Sequence, residues 1–211
     1  MFLLGKKIEF PDVELASPDG ILAIGGDLSP ERLLLAYRNG IFPWYSEGEP
    51  IVWYSPEKRM VLFPGELKVS KSMKQLIRRG TYQITWNENF EEVIKACQES
   101  PRKDQDGTWI TEEMRLAYIR LHEMGHAKSV EVWREEELVG GLYGIDLGHV
   151  FCGESMFSRE ANTSKFAFIN LAQRLEKENY RLIDCQVYTA HLASLGAREI
   201  PRKDFTKLLC H

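Results

Sequence analysis

The chain of 211 residues predicts an α+β protein, with a small irregular N-terminal domain followed by a larger one built on a mixed, twisted sheet flanked by helices. Three observations predict this. Residues 1–60 are punctuated by Gly, Pro and aromatics, as in Gly20-Ile21-Leu22-Ala23-Ile24-Gly25-Gly26-Asp27 and Gly40-Ile41-Phe42-Pro43-Trp44-Tyr45. Three strand-like runs then follow one another between Lys128 and Phe157. A long amphipathic stretch separates the last of them from another strand-like run, and strand, helix, strand in that order predicts a right-handed crossover onto one sheet.

Each element has its own local signal. Ser29 is an N-cap, Pro30 takes the first helical position and Gly40 stops that helix. Two prolines and a charged cluster between Ser55 and Pro64 place the domain boundary at residues 60 and 61. Ser70 caps a helix to about Arg79, and Thr81 to Thr85 reads as a strand. Phe90, Val93, Ile94 and Cys97 recur at the spacing of one helical face. Thr111 caps the next helix, with Met114, Ala117, Tyr118 and Leu121 on its apolar face and Gly125 as its stop. Strands are predicted at Lys128 to Arg134, Leu138 to Ile145 and His149 to Phe157, joined by turns at Glu135 to Glu137 and Asp146 to Gly148. The long helix runs from Thr163 to Asn179, with Phe168, Leu171, Ala172 and Leu175 facing the core. A strand over Leu182 to Tyr188, a short helix at His191 to Leu195 and a strand about Glu199 complete the prediction.

Composition narrows the function. Hydrophobic residues at 44% and charged residues at 27% describe an ordinary soluble domain, and no apolar run is long enough to span a membrane. The N-terminal stretch Met1 to Lys7 is too short for a signal peptide, and Cys97, Cys152, Cys185 and Cys210 are scattered without a Cys-x-x-Cys, which predicts reduced thiols in a cytoplasm. A net charge of −4 means that a nucleic-acid partner needs a local basic patch. His122-Glu123-Met124-Gly125-His126 spells the zinc-protease motif, but Gly125 falls where the helix ends and His149, His191 and His211 form no third-ligand pattern, so no metal is predicted.

The most informative segments are residues 151–159 and 181–187, because each reads as a buried strand carrying an acid in apolar company. A carboxylate among Phe151, Met156, Phe157, Ile183 and Val187 is costly to desolvate unless it is paired or functional. Strict alternation puts Asp184 and Gln186 on one face of their strand, and Cys152, Glu154 and Met156 on one face of theirs. The expected product is a slot with a greasy floor and acidic sides, suited to an apolar side chain and an amino group.

Longer words then carry a resemblance. They are Gly25-Gly26-Asp27-Leu28-Ser29-Pro30-Glu31-Arg32, Gly40 to Tyr45, Gly107-Thr108-Trp109-Ile110-Thr111, Ser129 to Trp133 with Leu138 to Gly144, Gly153 to Arg159, Leu182 to Gln186, and His191 to Arg202. In this order, over nearly the whole chain, they resemble the leucyl/phenylalanyl-tRNA–protein transferase family. The resemblance implies a GNAT-like acyltransferase fold for the larger domain and no cofactor. It implies transfer of leucine or phenylalanine from charged tRNA to the N-terminal amine of proteins that begin with Arg or Lys, marking them for N-end-rule degradation. It implies that Asp184 and Gln186 position and activate the incoming amine, with Asp184 either taking the proton or orienting a relay. It places Glu154 near the donor's ammonium in an aminoacyl pocket lined by Leu142, Met156, Leu171 and Ile183, and it assigns the terminal adenosine to Trp44 and Trp109; Trp53, Trp86 and Trp133 are read as core. Acyl-CoA is not expected, because the turn Ser158-Arg159-Glu160-Ala161-Asn162-Thr163 has no glycine and carries an acid. With a tRNA donor, Lys71, Lys74 and Arg78 on one helix face, with Lys68 and Arg79 nearby, are the expected backbone contacts. Two rival readings are an acyl-CoA-dependent amine acyltransferase and a tRNA-binding module without chemistry.

Overall fold

A computed structural model describes residues 2–100 and 110–210. Among these residues eleven strands form two mixed sheets, and seven α-helices accompany them. In the N-terminal part, β1 (Phe2–Leu4) runs parallel to β2 (Ile21–Gly25), helix α1 (Pro30–Arg38) follows, and β3 (Phe42–Pro43) and β4 (Val52–Tyr54) complete a sheet of order β1-β2-β4-β3. The expected irregular domain is thus a small sheet. Its strands are two to five residues long, too short for a period to show in the sequence. Ser29 does occupy the N-cap of α1, although its hydroxyl makes no capping bond.

The second sheet has order β11-β5-β10-β9-β8-β7-β6. Its members are β5 (Lys58–Leu62), β6 (Gln83–Trp86), β7 (Ala127–Arg134), β8 (Glu137–Asp146), β9 (Val150–Ser158), β10 (Leu182–Gln186) and β11 (Arg198–Pro201). Only β9 and β10 pair in parallel, and the helix that joins them, α5 (Thr163–Lys177), is the expected crossover. Helix α2 (Lys71–Arg79) is capped by Ser70, whose hydroxyl accepts from the Met73 N–H, and is stopped by left-handed Gly80. Helix α3 (Phe90–Glu99) follows β6, and Thr111 caps α4 (Glu112–Glu123) in the same way through Met114. Two elements lie where no prediction placed them. β5 is an interior strand between β10 and β11, not a linker, and α7 (Arg202–Leu209) follows β11, after the expected short helix α6 (Ala190–Ser194).

Two apolar layers cover the large sheet. One holds Phe90, Tyr118, Tyr143, Cys152 and Phe205, and it is continuous with Leu22, Leu33 and Trp53 of the N-terminal part. The other holds Met73, Leu142, Phe151, Phe166, Leu171 and Ile183 under α2, α5 and α6. The acids Glu154 and Asp184 singled out from the sequence lie where β9 and β10 meet the first layer.

Candidate active site

The parallel ladder between β9 and β10 has three rungs, Leu182 with Val150, Ile183 with Phe151 and Asp184 with Cys152. Past the third, both strands leave regular register. On β9, Ser155 pairs with Tyr143 but Gly153 pairs with Gly144, so Glu154 is an extra residue in a bulge. Close strand approach there requires Gly144, since a Cβ would lie 2.2 Å from the Cys152 carbonyl oxygen. On β10, Asp184 pairs with Val61 and Gln186 with Met60, so Cys185 is extra, and Gln186 takes a left-handed φ of 63°. Bulges re-aim side chains and end pairing, and these two do both. Beyond the last rung the strands are bridged by side chains: Gln186 Nε2 donates to Glu154 Oε1 at 2.7 Å.

The bulge on β9 overturns the alternation expected for that strand. Glu154 accepts at 3.0 Å from the hydroxyl of Tyr118, in the layer shared with the N-terminal part, whereas Met156 packs against the α5 layer. Glu154 and Met156 therefore do not share a face, because one inserted residue shifts a period of two by half a cycle. Asp184 and Gln186 both reach partners in the layer shared with the N-terminal part, though not the same partner. The Asp184 carboxylate receives Arg59 Nε on Oδ1 at 2.8 Å and Nη2 on Oδ2 at 2.7 Å, and Oδ1 also accepts the Gln186 backbone N–H at 2.9 Å. Its negative charge is matched by a guanidinium in a fork-to-fork pair that is buried on both sides.

Glu154 has a different environment. The residue keeps some exposed surface, but its carboxylate is ringed by protein. Burial pushes its pKa up to about 8, partly offset by hydrogen bonds from Tyr37, Tyr118 and Gln186. The Tyr37 and Tyr118 hydroxyls bond each other, and burial followed by the Glu154 charge drives both phenols upward. Tyr37, Tyr118, Glu154 and Gln186 thus form one polar chain leading from α1 and α4 to β10. A stability prediction follows. Between the ordinary 4.5 and about 8 the folded protein holds a proton on Glu154 that the unfolded chain releases, so this group's contribution is lost as pH rises through that window. The melting temperature of the wild type should fall relative to Glu154→Gln as pH is raised from about 5 to about 8. A gap between the two proteins that stays constant over that range would contradict it.

The other expected residues are distributed as follows. Leu142, Leu171 and Ile183 are buried members of the α5 layer and Met156 lies against it, so the four come together and Met156 alone among them keeps exposed surface. Trp44 is half-buried beside Tyr54, with ring centroids 5.9 Å apart. Trp109 lies outside the described residues. Trp53 is fully buried, Trp86 is half-buried under Arg174, and half-buried Trp133 donates to Thr85. Lys68, Lys71, Lys74, Arg78 and Arg79 are all exposed on or just before α2. The helix carrying His122 ends at Glu123, and Gly125 turns at a φ of 84°, so His126 leaves the helix; the His122 ring stacks on Phe90 at 4.3 Å. Among the described residues no group of three or more His, Cys, Asp or Glu side chains is placed to hold a metal.

Sequence reasoning missed Arg59, and it read Tyr118 only as part of an apolar helix face. Arg59 looked like part of a charged linker. Its one sequence signal is its place in Arg59-Met60-Val61-Leu62, a charge entering an apolar strand.

Comparison with known proteins agrees over the whole chain. A family model described as leucyl/phenylalanyl-tRNA protein transferase matches residues 61–210, and the model of that family's N-terminal domain matches residues 26–57. A leucyl/phenylalanyl-tRNA–protein transferase of Flavobacterium johnsoniae is 60% identical over 209 residues, covering 99% of both chains. Another, of Syntrophus aciditrophicus, is 61% identical over 206 residues, covering 98% of this chain and 86% of its own. Solved structures are similar only loosely. A GCN5-related N-acetyltransferase of Kribbella flavida aligns with a TM-score of 0.41 at 12% identity, over 82% of this chain and 61% of that one.

Proposed function

Because the chain belongs to the leucyl/phenylalanyl-tRNA protein transferase family, an aminoacyltransferase family, we propose that it moves leucine or phenylalanine from charged tRNA to the N-terminal amine of proteins that begin with Arg or Lys, marking them for N-end-rule degradation. The observation that carries this reading is the Gln186–Glu154 bridge where the β9–β10 ladder ends. The reaction is aminolysis of an ester already activated on tRNA. The acceptor nitrogen bonds to the ester carbonyl carbon, the ribose oxygen leaves, and one proton must come off nitrogen. Holding the two reactants in line can contribute about 7–11 kcal/mol.

The side chains divide this work. Glu154 lies beside the donor's ammonium and, bridged to Gln186, takes the proton that leaves the acceptor nitrogen, since its pKa of about 8 is close to the ~7.7–8.0 of an α-amine. Gln186 presents its amide to the acceptor amine. Asp184 orients Gln186, since both its oxygens are already engaged. Leu142, Met156, Leu171 and Ile183 receive the apolar side chain, and Trp44 with Trp109 stack on the terminal adenine. On a division into residues 1–60 and 61–211, the first part supplies Trp44 and the second supplies Trp109 and the transfer machinery; the change of sheet between Tyr54 and Lys58 supports a boundary just before β5, a few residues ahead of that cut. Glu160 argues against acyl-CoA: it sits in the turn before α5, paired with Arg134 at 2.6 Å, where a pyrophosphate would meet its charge. Charged tRNA places the reaction in the cytoplasm, and no described helix is long and apolar enough to cross a membrane.

The direct test supplies tRNA charged with labelled leucine and a peptide beginning with Arg. Label should appear on that peptide and not on its N-acetylated form. No label on either would sink the proposal. The basic helix has a separate test. Charge reversal at Lys71, Lys74 and Arg78 should weaken binding of charged tRNA roughly ten- to hundredfold at low salt and flatten its salt dependence. Unchanged binding would remove α2 from the interface.

A further inference from the structure

The Arg59–Asp184 pair is sealed from solvent, at 1% and 0% exposure, so it meets no substrate directly. Its connections nevertheless lead straight to the transfer site. We propose that Arg59 is a positioning residue for aminoacyl transfer: packed against Phe42 and Phe205, it fixes Asp184, which in turn sets the backbone of Gln186 so that its amide lies on Glu154. This inference rests on the transfer reading of the site.

Every link is present. The Arg59 guanidinium lies 4.7 Å from the ring centroid of Phe42 and 4.7 Å from that of Phe205, one aromatic on each of two elements far apart in sequence. Its Nη1 donates to the Gly40 carbonyl at 3.2 Å, which fixes the plane of the group. The remaining edge, Nε and Nη2, meets Asp184 with both bonds under 3 Å. A lysine ammonium cannot present two parallel donors in one plane to a carboxylate. The next link is the Gln186 N–H, held on Asp184 Oδ1 at 2.9 Å. Gln186 is not glycine, and a φ of 63° is sparsely populated for it, so this backbone bond is what keeps it in the left-handed region. That conformation, together with the bulge at Cys185, turns the Gln186 side chain toward Glu154.

The clamp also ties the chain's last helix to the site. Phe205 belongs to α7, and α7 is anchored through the Leu209 carbonyl to His149 at 3.0 Å and through the Leu208 carbonyl to Arg181 at 3.1 Å. A helix remote from both substrates thereby bears on the orientation of Gln186.

The test measures transfer by Arg59→Lys and by Phe205→Leu, each alone and combined with Gln186→Ala, against the full-length wild type. Arg59→Lys should lower kcat about a hundredfold and Phe205→Leu about tenfold, with KM for charged tRNA changed less than about threefold. If both act through Gln186, either change should cost less than about twofold once Gln186→Ala is present. A merely structural role would lower the fraction of folded enzyme equally in both backgrounds. The proposal is overturned by a folded Arg59→Lys enzyme with kcat within about threefold of wild type, or by losses that multiply in the Gln186→Ala background. Should Arg59→Lys fail to fold, Phe205→Leu retains the ion pair and decides by the same criterion. A wild type unable to transfer would overturn this inference together with the reading beneath it. A wild type that transfers beside an unaffected Arg59→Lys overturns this inference alone.

Discussion

Asp184→Ala is expected to lower stability by about 3–5 kcal/mol, because it strands the Arg59 charge in the interior. Domains of this size are stable by only ~5–15 kcal/mol, so the variant should denature at far lower urea than wild type at neutral pH. Arg59 cannot relieve the loss by turning outward. Phe42 and Phe205 both pack against its guanidinium and the Gly40 carbonyl holds its third nitrogen. The companion variant separates stability from function. Replacing the pair together, as Arg59→Met with Asp184→Leu, removes both charges, and such exchanges are often neutral or stabilising. The double variant should regain most of the lost stability and none of the transfer activity, since no acceptor remains for the Gln186 N–H. A loss under about 1 kcal/mol for Asp184→Ala would mean that the pair contributes nothing net to the fold.

What could be read from the sequence divides along a physical line. Helices α2 and α4 were legible because Ser70 and Thr111 cap them through bonds that span three residues, and Gly80 and Gly125 end them. The α5 crossover was legible because fifteen residues give a helical period time to repeat. The acids were legible as anomalies, carboxylates written into apolar strands. The direction of Glu154 was not. Whether Glu154 lies beside Cys152 or beside Met156 depends on one unpaired residue, and that depends on how β8 aligns with β9. Register is a property of two strands at once and leaves no mark on either alone. β5 was hidden for a related reason. Arg59 reads as a solvent-facing charge until Asp184, 125 residues away, is known to neutralise it.

Glu154→Ala should reduce kcat for transfer by about 10²- to 10⁴-fold, the usual contribution of a positioned proton acceptor, with a fold close to that of wild type. The stability effect is small or favourable here, in contrast to Asp184, because among the described residues the partners of Glu154 are neutral, the Tyr37 and Tyr118 hydroxyls and the Gln186 amide. Removing it leaves these neutral donors to be satisfied by water in the space vacated. Glu154→Gln refines the test. It keeps the size and can still accept from Tyr118, but it can neither carry charge nor exchange a proton. Wild-type kcat should therefore rise with pH as Glu154 ionises near 8, whereas Glu154→Gln should be slow and flat over the same range. Glu154→Asp draws the carboxylate back by one methylene from both Tyr118 and Gln186, and a displacement of about 1 Å at a reacting group can itself cost about 10²-fold. The three variants give different profiles if the carboxylate handles a proton: slow and flat for Ala and Gln, slow but still rising with pH for Asp. If instead Glu154 only shapes the pocket, Gln should match wild type at every pH. That outcome would move proton transfer away from β9 and leave Gln186 to work through the substrates' own groups.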